Sequence, residues 1–137
     1  MYKVVKKLDF CYGHRLLNYN GKCAHPHGHN GALEIEIIAD KVDDSGMVFD
    51  FSLIKRRLME FIDQHLDHRM LLRKDDPLIA ALRCAGEGDY IHIMDVNPTA
   101  ENIARLICDE GRAMKLPITA VRLWETPNSY AEYRWVE

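Results

Sequence analysis

The tightest constraint on the fold lies in residues 33–39, where LEIEIIA sets apolar and acidic side chains on alternating positions. Strand side chains point to opposite faces at every step, so Leu33, Ile35 and Ile37 share one face and Glu34 and Glu36 the other. That is the signature of a half-buried strand. ITAVRLWE (118–125) and SYAEYRWV (129–136) alternate in the same way around TPN (126–128), and read as a terminal hairpin. Residues 2–10 predict a strand entering a loop at Gly13, and YIHIM (90–94) predicts another. DDSG (43–46) is turn chemistry, and MVFD (47–50) after it reads as a short returning strand.

Two stretches change to helical spacing. Phe51, Ile54, Leu58, Phe61, Ile62 and Leu66 fall on one face of a helix that Asp50 or Ser52 can cap. A second helix starts at NPTAEN (97–102), with Thr99 as N-cap and Glu101 at the positive end of the dipole. It runs to about Met114 and stops before Pro117. Strands in hairpins with helices inserted between them predict an α+β fold with an antiparallel sheet, in one domain over 1–137. Four main strands and two helices are few for two complete layers. One face of the sheet is therefore expected to meet another subunit.

Composition narrows the function. The net charge of −3 gives no broad basic field, which argues against nucleic acid and anionic membranes as partners. The 18 Lys and Arg still allow a local pocket for a small anion. No run approaches the roughly 20 apolar residues of a membrane span, and MYKVVKKLDF is too polar for a secretory leader. Cys11, Cys23, Cys84 and Cys108 form no CxxC pair, so free thiols in a cytoplasmic protein are expected.

The chemistry concentrates in one loop. His14, His25, His27 and His29 fall within sixteen residues, in a segment that includes KCAHPHGHNG. An extended His27–Gly28–His29 projects both imidazoles to the same side, and His14 can close a third position. Three imidazoles without a fourth protein ligand match an open, catalytic zinc site, while histidines hydrogen-bonded in a surface loop are the plainer alternative. Cys23 can be a fourth ligand or an acid/base beside the metal, where a thiol ionises more readily. Asp67–His68 is either a proton relay or a solvated helix end. Glu125 is either a solvated strand end or a carboxylate placed to accept two parallel N–H bonds from a heterocycle edge.

In order along the chain stand Phe10-x3-His14, Cys23-x3-His27-Gly28-His29, Val48-x-Asp50-Phe51, Leu66-Asp67-His68, Asn97-Pro98-Thr99-Ala100-Glu101-Asn102 and Glu125-Thr126. Together they resemble the 6-pyruvoyl-tetrahydropterin synthase / 6-carboxytetrahydropterin synthase family over nearly the whole chain. The resemblance implies a tunnelling fold (T-fold): a four-stranded antiparallel sheet with two helices on one face. Its subunits would assemble into a β-barrel, as a hexamer of two stacked trimers or a tetramer, with active sites at subunit interfaces. It implies zinc on His14, His27 and His29, a catalytic Cys23, an Asp67–His68 pair and a pterin-anchoring Glu125. Thr99 and Glu101 would lie near the pterin, and the implied substrate is 7,8-dihydroneopterin triphosphate.

Three residues between Cys23 and the HGH resemble the 6-carboxytetrahydropterin synthases of queuosine biosynthesis, where the 6-pyruvoyl enzymes tend to have five. Members that cleave dihydroneopterin in folate synthesis carry Glu in place of the Cys. A non-enzymatic zinc-stabilised binding module remains as a third reading, and predicts Cys23 on the metal. The chain departs from the family at His25-Pro26, in a longer 69–96 segment, and at Cys11-Tyr12-Gly13, where small residues are usual.

Overall fold

A computed structural model describes residues 1–137. Two 13-residue strands form its spine: β1 (Tyr2–His14) and β2 (His27–Ala39) pair antiparallel along their whole length, from Tyr2 opposite Ala39 to His14 opposite His27. The terminal hairpin follows as expected, with β5 (Ala120–Thr126) pairing with β2 and β6 (Ser129–Arg134) pairing with β5, both antiparallel. Helix α1 (Phe51–His65) begins at Asp50, whose carboxylate accepts the Ser52 amide at 2.7 Å, so Asp50 rather than Ser52 is the cap. Helix α3 (Ala100–Ala113) begins at Thr99, whose hydroxyl accepts the Asn102 amide at 3.2 Å.

The sheet has six strands rather than the expected four, in the order β4-β3-β1-β2-β5-β6. The segment between α1 and α3 supplies the extra pair, β3 (Arg69–Arg73) and β4 (Ile91–Met94), with the short helix α2 (Leu78–Cys84) between them. Both additions run parallel, β3 beside β1 and β4 beside β3. The chain returns to the same edge through the crossovers α1 and α2, so parallel pairing is the geometry available. MVFD (47–50) is not a strand. β2 already has β1 on one side and β5 on the other, so no edge remains for it. Asp43 instead folds the turn on itself, its carboxylate accepting the Ser45 and Met47 amides at 2.8 and 2.9 Å.

Alternation determines where the core sits. Leu8, Phe10 and Tyr12 of β1, Leu33, Ile35 and Ile37 of β2, and Val121 and Leu123 of β5 are buried against Ile54, Leu58 and Ile62 of α1 and Ile103 and Ile107 of α3. Both long helices thus cover one sheet face. By the same parity His14, His27, His29 and Glu125 belong to that face, at the end of the strands beyond the helices. The opposite face carries Lys3, Glu34, Glu36, Arg122, Glu132 and Arg134, linked by ion pairs.

Candidate metal centre and its cleft

Pairing of β1 with β2 places His14 across from His27, and Tyr12 across from His29. The three imidazoles converge because His27 and His29 alternate onto the core face of β2 and His14 reaches the same face from β1. His14 Nε2 lies 3.0 Å from His27 Nε2 and 3.1 Å from His29 Nε2. Gly28 lets the strands close here, since a Cβ on it would stand 3.1 Å from the Tyr12 carbonyl oxygen.

Hydrogen bonds on the far side of two rings fix their tautomers. The Nδ1–H of His14 donates to the Pro98 carbonyl at 2.7 Å, and that of His27 to the His25 carbonyl at 2.7 Å. Carbonyls only accept, so each neutral ring turns a bare Nε2 lone pair inward. At 3.0 Å these nitrogens have no proton to share. Protonating His14 is no remedy: burial pushes its pKa down and the neighbouring His27 and His29 add to that, against the opposing pull of the Pro98 carbonyl and Glu125. Converging lone pairs on rings oriented by backbone carbonyls suit a metal ion. Tetrahedral ligand nitrogens about 2.0–2.1 Å from zinc lie roughly 3.3 Å apart, close to the spacing here.

Glu125 stands beside this centre, with Oε1 3.7 Å from His14 Nε2 and Oε2 3.8 Å from His29 Nε2. It is not a solvated strand end. Its Oε1 also accepts the Tyr12 hydroxyl at 3.0 Å, and burial together with this carboxylate pushes the Tyr12 phenol far above its usual pKa. Cys23 sits in a single 3-10 turn (Lys22–Ala24), half-buried, and its sulfur is not in the cluster of converging ligand atoms. With His14, Thr99, Glu101, Glu125 and Tyr130 it lines a cavity of about 360 Å³. Four of the residues singled out in the sequence, Cys23, Thr99, Glu101 and Glu125, therefore share one cleft with His14 of the triad.

Asp67 and His68 are joined as expected, His68 Nδ1 donating to Asp67 Oδ2 at 2.7 Å. The other Asp67 oxygen accepts the Cys11 amide at 2.9 Å, and the His68 amide donates to the Cys11 carbonyl at 2.7 Å. This pinning holds His68 at φ +56°, a left-handed conformation uncommon outside glycine. The pair does not share the Cys23 cleft. His68 is largely exposed and lines a separate cavity of about 670 Å³ with Cys11, Arg69, Tyr90 and two of the triad, His27 and His29.

Three residues emerge only in three dimensions. Asn97 exchanges two hydrogen bonds of 2.9 Å with the backbone of Leu17, clamping the histidine loop to the start of α3. Arg15 pairs with the buried Asp76 through two contacts, one of them Nε to Oδ2 at 2.8 Å. Tyr12 is the third. Of these, only Asn97 and Tyr12 left any trace in the sequence, as a member of the NPTAEN segment and as a bulky residue at a usually small position.

Comparison with known proteins gives the chain its relatives. The family described as 6-pyruvoyl tetrahydropterin synthase matches residues 3–135. A 6-carboxy-5,6,7,8-tetrahydropterin synthase of Rickettsia conorii is 38% identical, with 96% of this chain aligned to 99% of that protein. Among solved structures, an uncharacterised protein from Wolinella succinogenes superposes with a TM-score of 0.81 at 25% identity, covering 97% of each chain. The 6-pyruvoyl tetrahydropterin synthase of Caenorhabditis elegans gives 0.71 at 23% identity over 98% of this chain and 96% of that one.

Proposed function

The chain belongs to the 6-pyruvoyl tetrahydropterin synthase family, and on that premise we propose that it is a zinc-dependent 6-carboxy-5,6,7,8-tetrahydropterin synthase. It would convert 7,8-dihydroneopterin triphosphate, with loss of triphosphate and acetaldehyde, for queuosine synthesis. The observation that carries this is the convergence of three imidazoles, two of them with Nε2 lone pairs turned inward, beside Glu125 and at the edge of the cleft that Cys23 lines with His14.

His14, His27 and His29 would hold the ion. When bound, zinc supplies Lewis acidity toward the hydroxyls of the substrate side chain without any redox role. Glu125 accepts N–H bonds from the pterin edge and fixes the ring, so that the side-chain carbons lie over the triad. Cys23, in the same cleft, takes and returns a proton at those carbons. Its place outside the ligand cluster favours this over zinc ligation, and disfavours a closed binding module. His68, oriented by Asp67, exchanges the second proton. Because that pair opens on a different cavity from Cys23, we propose that the pair of one subunit serves the cleft of another, in a homo-oligomer with interfacial active sites.

Thr99 caps α3 and Glu101 lies in its first turn, and both line the cleft, which supports reading them as residues near the pterin. Cys23→Ala is expected to keep zinc and lose turnover by roughly a hundredfold to a thousandfold. Loss of zinc in that variant would recast Cys23 as a ligand.

A second reading, 6-pyruvoyl-tetrahydropterin formation with the three-carbon side chain kept, draws on the family's own description. Acetaldehyde released from dihydroneopterin triphosphate by the purified protein separates the two. One equivalent per turnover supports the 6-carboxy product, and turnover without it overturns that assignment. The three-residue spacing from Cys23 to the HGH and the 38% identical Rickettsia enzyme favour the first reading.

A further inference from the structure

β2 lies between β1 and β5, so a side chain on β1 can meet one on β5 only by crossing the middle strand. Tyr12 does this. Its hydroxyl donates to Glu125 Oε1 at 3.0 Å, and its ring passes over Gly31, where an added Cβ would lie 3.1 Å from Tyr12 Cε1 and 3.4 Å from Phe10 Cε1. The ring is buried, stacks on Phe10 with centroids 5.1 Å apart, and meets the His14 ring edge-on at 5.2 Å. Glycine on the middle strand and tyrosine on its neighbour thus form a matched pair.

We infer that Tyr12 is a positioning residue that sets the orientation of the Glu125 carboxylate in the cleft, using the passage that Gly31 leaves open. A glutamate at the end of a strand turns freely about its side-chain bonds, and two parallel N–H bonds to a heterocycle require one orientation. The Tyr12 hydroxyl holds Oε1 of a side chain that lines the cleft, and the remaining lone pairs of the carboxylate are free of hydrogen bonds within the chain. The ring contacts with Phe10 and His14 hold the hydroxyl itself in place. This inference rests on reading Glu125 as the pterin anchor.

Binding of 7,8-dihydroneopterin to the zinc-loaded full chain, measured by calorimetry, tests it with four proteins: wild type, Tyr12→Phe, Glu125→Ala and the double variant. Tyr12→Phe keeps the ring and removes one hydrogen bond to a charged group. It is expected to keep its zinc and weaken binding about tenfold. In the Glu125→Ala background the same change should have no further effect, because the tyrosine acts through the glutamate.

Unchanged binding in Tyr12→Phe, or an equal loss in both backgrounds, overturns the inference and leaves the anchor reading intact. Loss of zinc in Tyr12→Phe also overturns it, since Tyr12 would then be supporting the metal ligands. Wild-type binding by Glu125→Ala overturns the anchor reading itself, and the inference falls with it.

Discussion

β2 carries a polar cluster on each face, and the two differ in one respect that separates structure from function. On the helix-covered face, His14 and His27 meet with bare lone pairs turned toward one another and no donor between them, and His29 converges on the same point. On the opposite face, Glu36 is buried yet fully partnered. One oxygen accepts from Arg134 at 2.8 Å and Thr119 at 3.2 Å, the other from Arg122 at 2.9 Å. Burial pushes the Glu36 carboxyl up, but the two guanidiniums hold it below the usual carboxylate range. A buried polar group that finds its partners within the chain stabilises the fold, whereas one whose partners are missing calls for a ligand. The Glu36 cluster is complete, and the histidine cluster is not.

The contrast breaks most visibly at His27. His27→Ala is expected to lose bound metal and to lower activity by more than about a thousandfold. Stripping the metal with a chelator should lower the melting temperature of the wild type but not of His27→Ala, because only the former gains folding energy from the ion. Metal retained at full stoichiometry in the variant would sink the site assignment.

Glu36→Ala should do the reverse. Removing it takes from Arg122, largely buried, and Arg134, half-exposed, their buried partner and leaves them paired with Glu132, and is expected to cost about 1–2 kcal/mol in urea unfolding. Metal stoichiometry of the folded fraction should not change. A smaller difference lies in acid. Glu36 is held below its unfolded value, so its contribution is full above about pH 4.3 and fades as pH falls through the lower folded value. Unfolding free energy should therefore drop more steeply below about pH 4.3 in the wild type than in Glu36→Gln. Asp76, likewise held low by hydrogen bonding to Arg15, contributes to both and cancels in the comparison.

What could be read in the sequence follows from which interactions are local. The alternation of LEIEIIA, the helical spacing from Phe51 to Leu66 and the Asp50 and Thr99 caps involve residues a few positions apart, and each is found in the structure. His27–Gly28–His29 was legible for the same reason, since an extended HxH needs only strand periodicity. β4 was legible in YIHIM, but β3 escaped, as did the parallel pairing of both, because short parallel strands have no hairpin turn beside them and depend on partners far along the chain. The absence of a strand at MVFD was invisible locally, because it is decided by β5 occupying the free edge of β2. The separation of the Asp67–His68 pair from Cys23 is likewise a matter of tertiary placement. Tyr12 stood out only as a bulky residue at a usually small position, and its partner Gly31 gave no warning at all.

The loop from Arg15 to Pro26 is fastened at three places: Leu16 to Cys23 through a backbone hydrogen bond of 2.8 Å, Leu17 to Asn97, and Arg15 to Asp76. The wall of the cleft that bears Cys23 is thus set before any substrate arrives. Encounter with the ligand then requires no ordering of that segment. Association should be a single step whose rate rises linearly with concentration, and charge rather than loop closure should govern how fast the cleft fills.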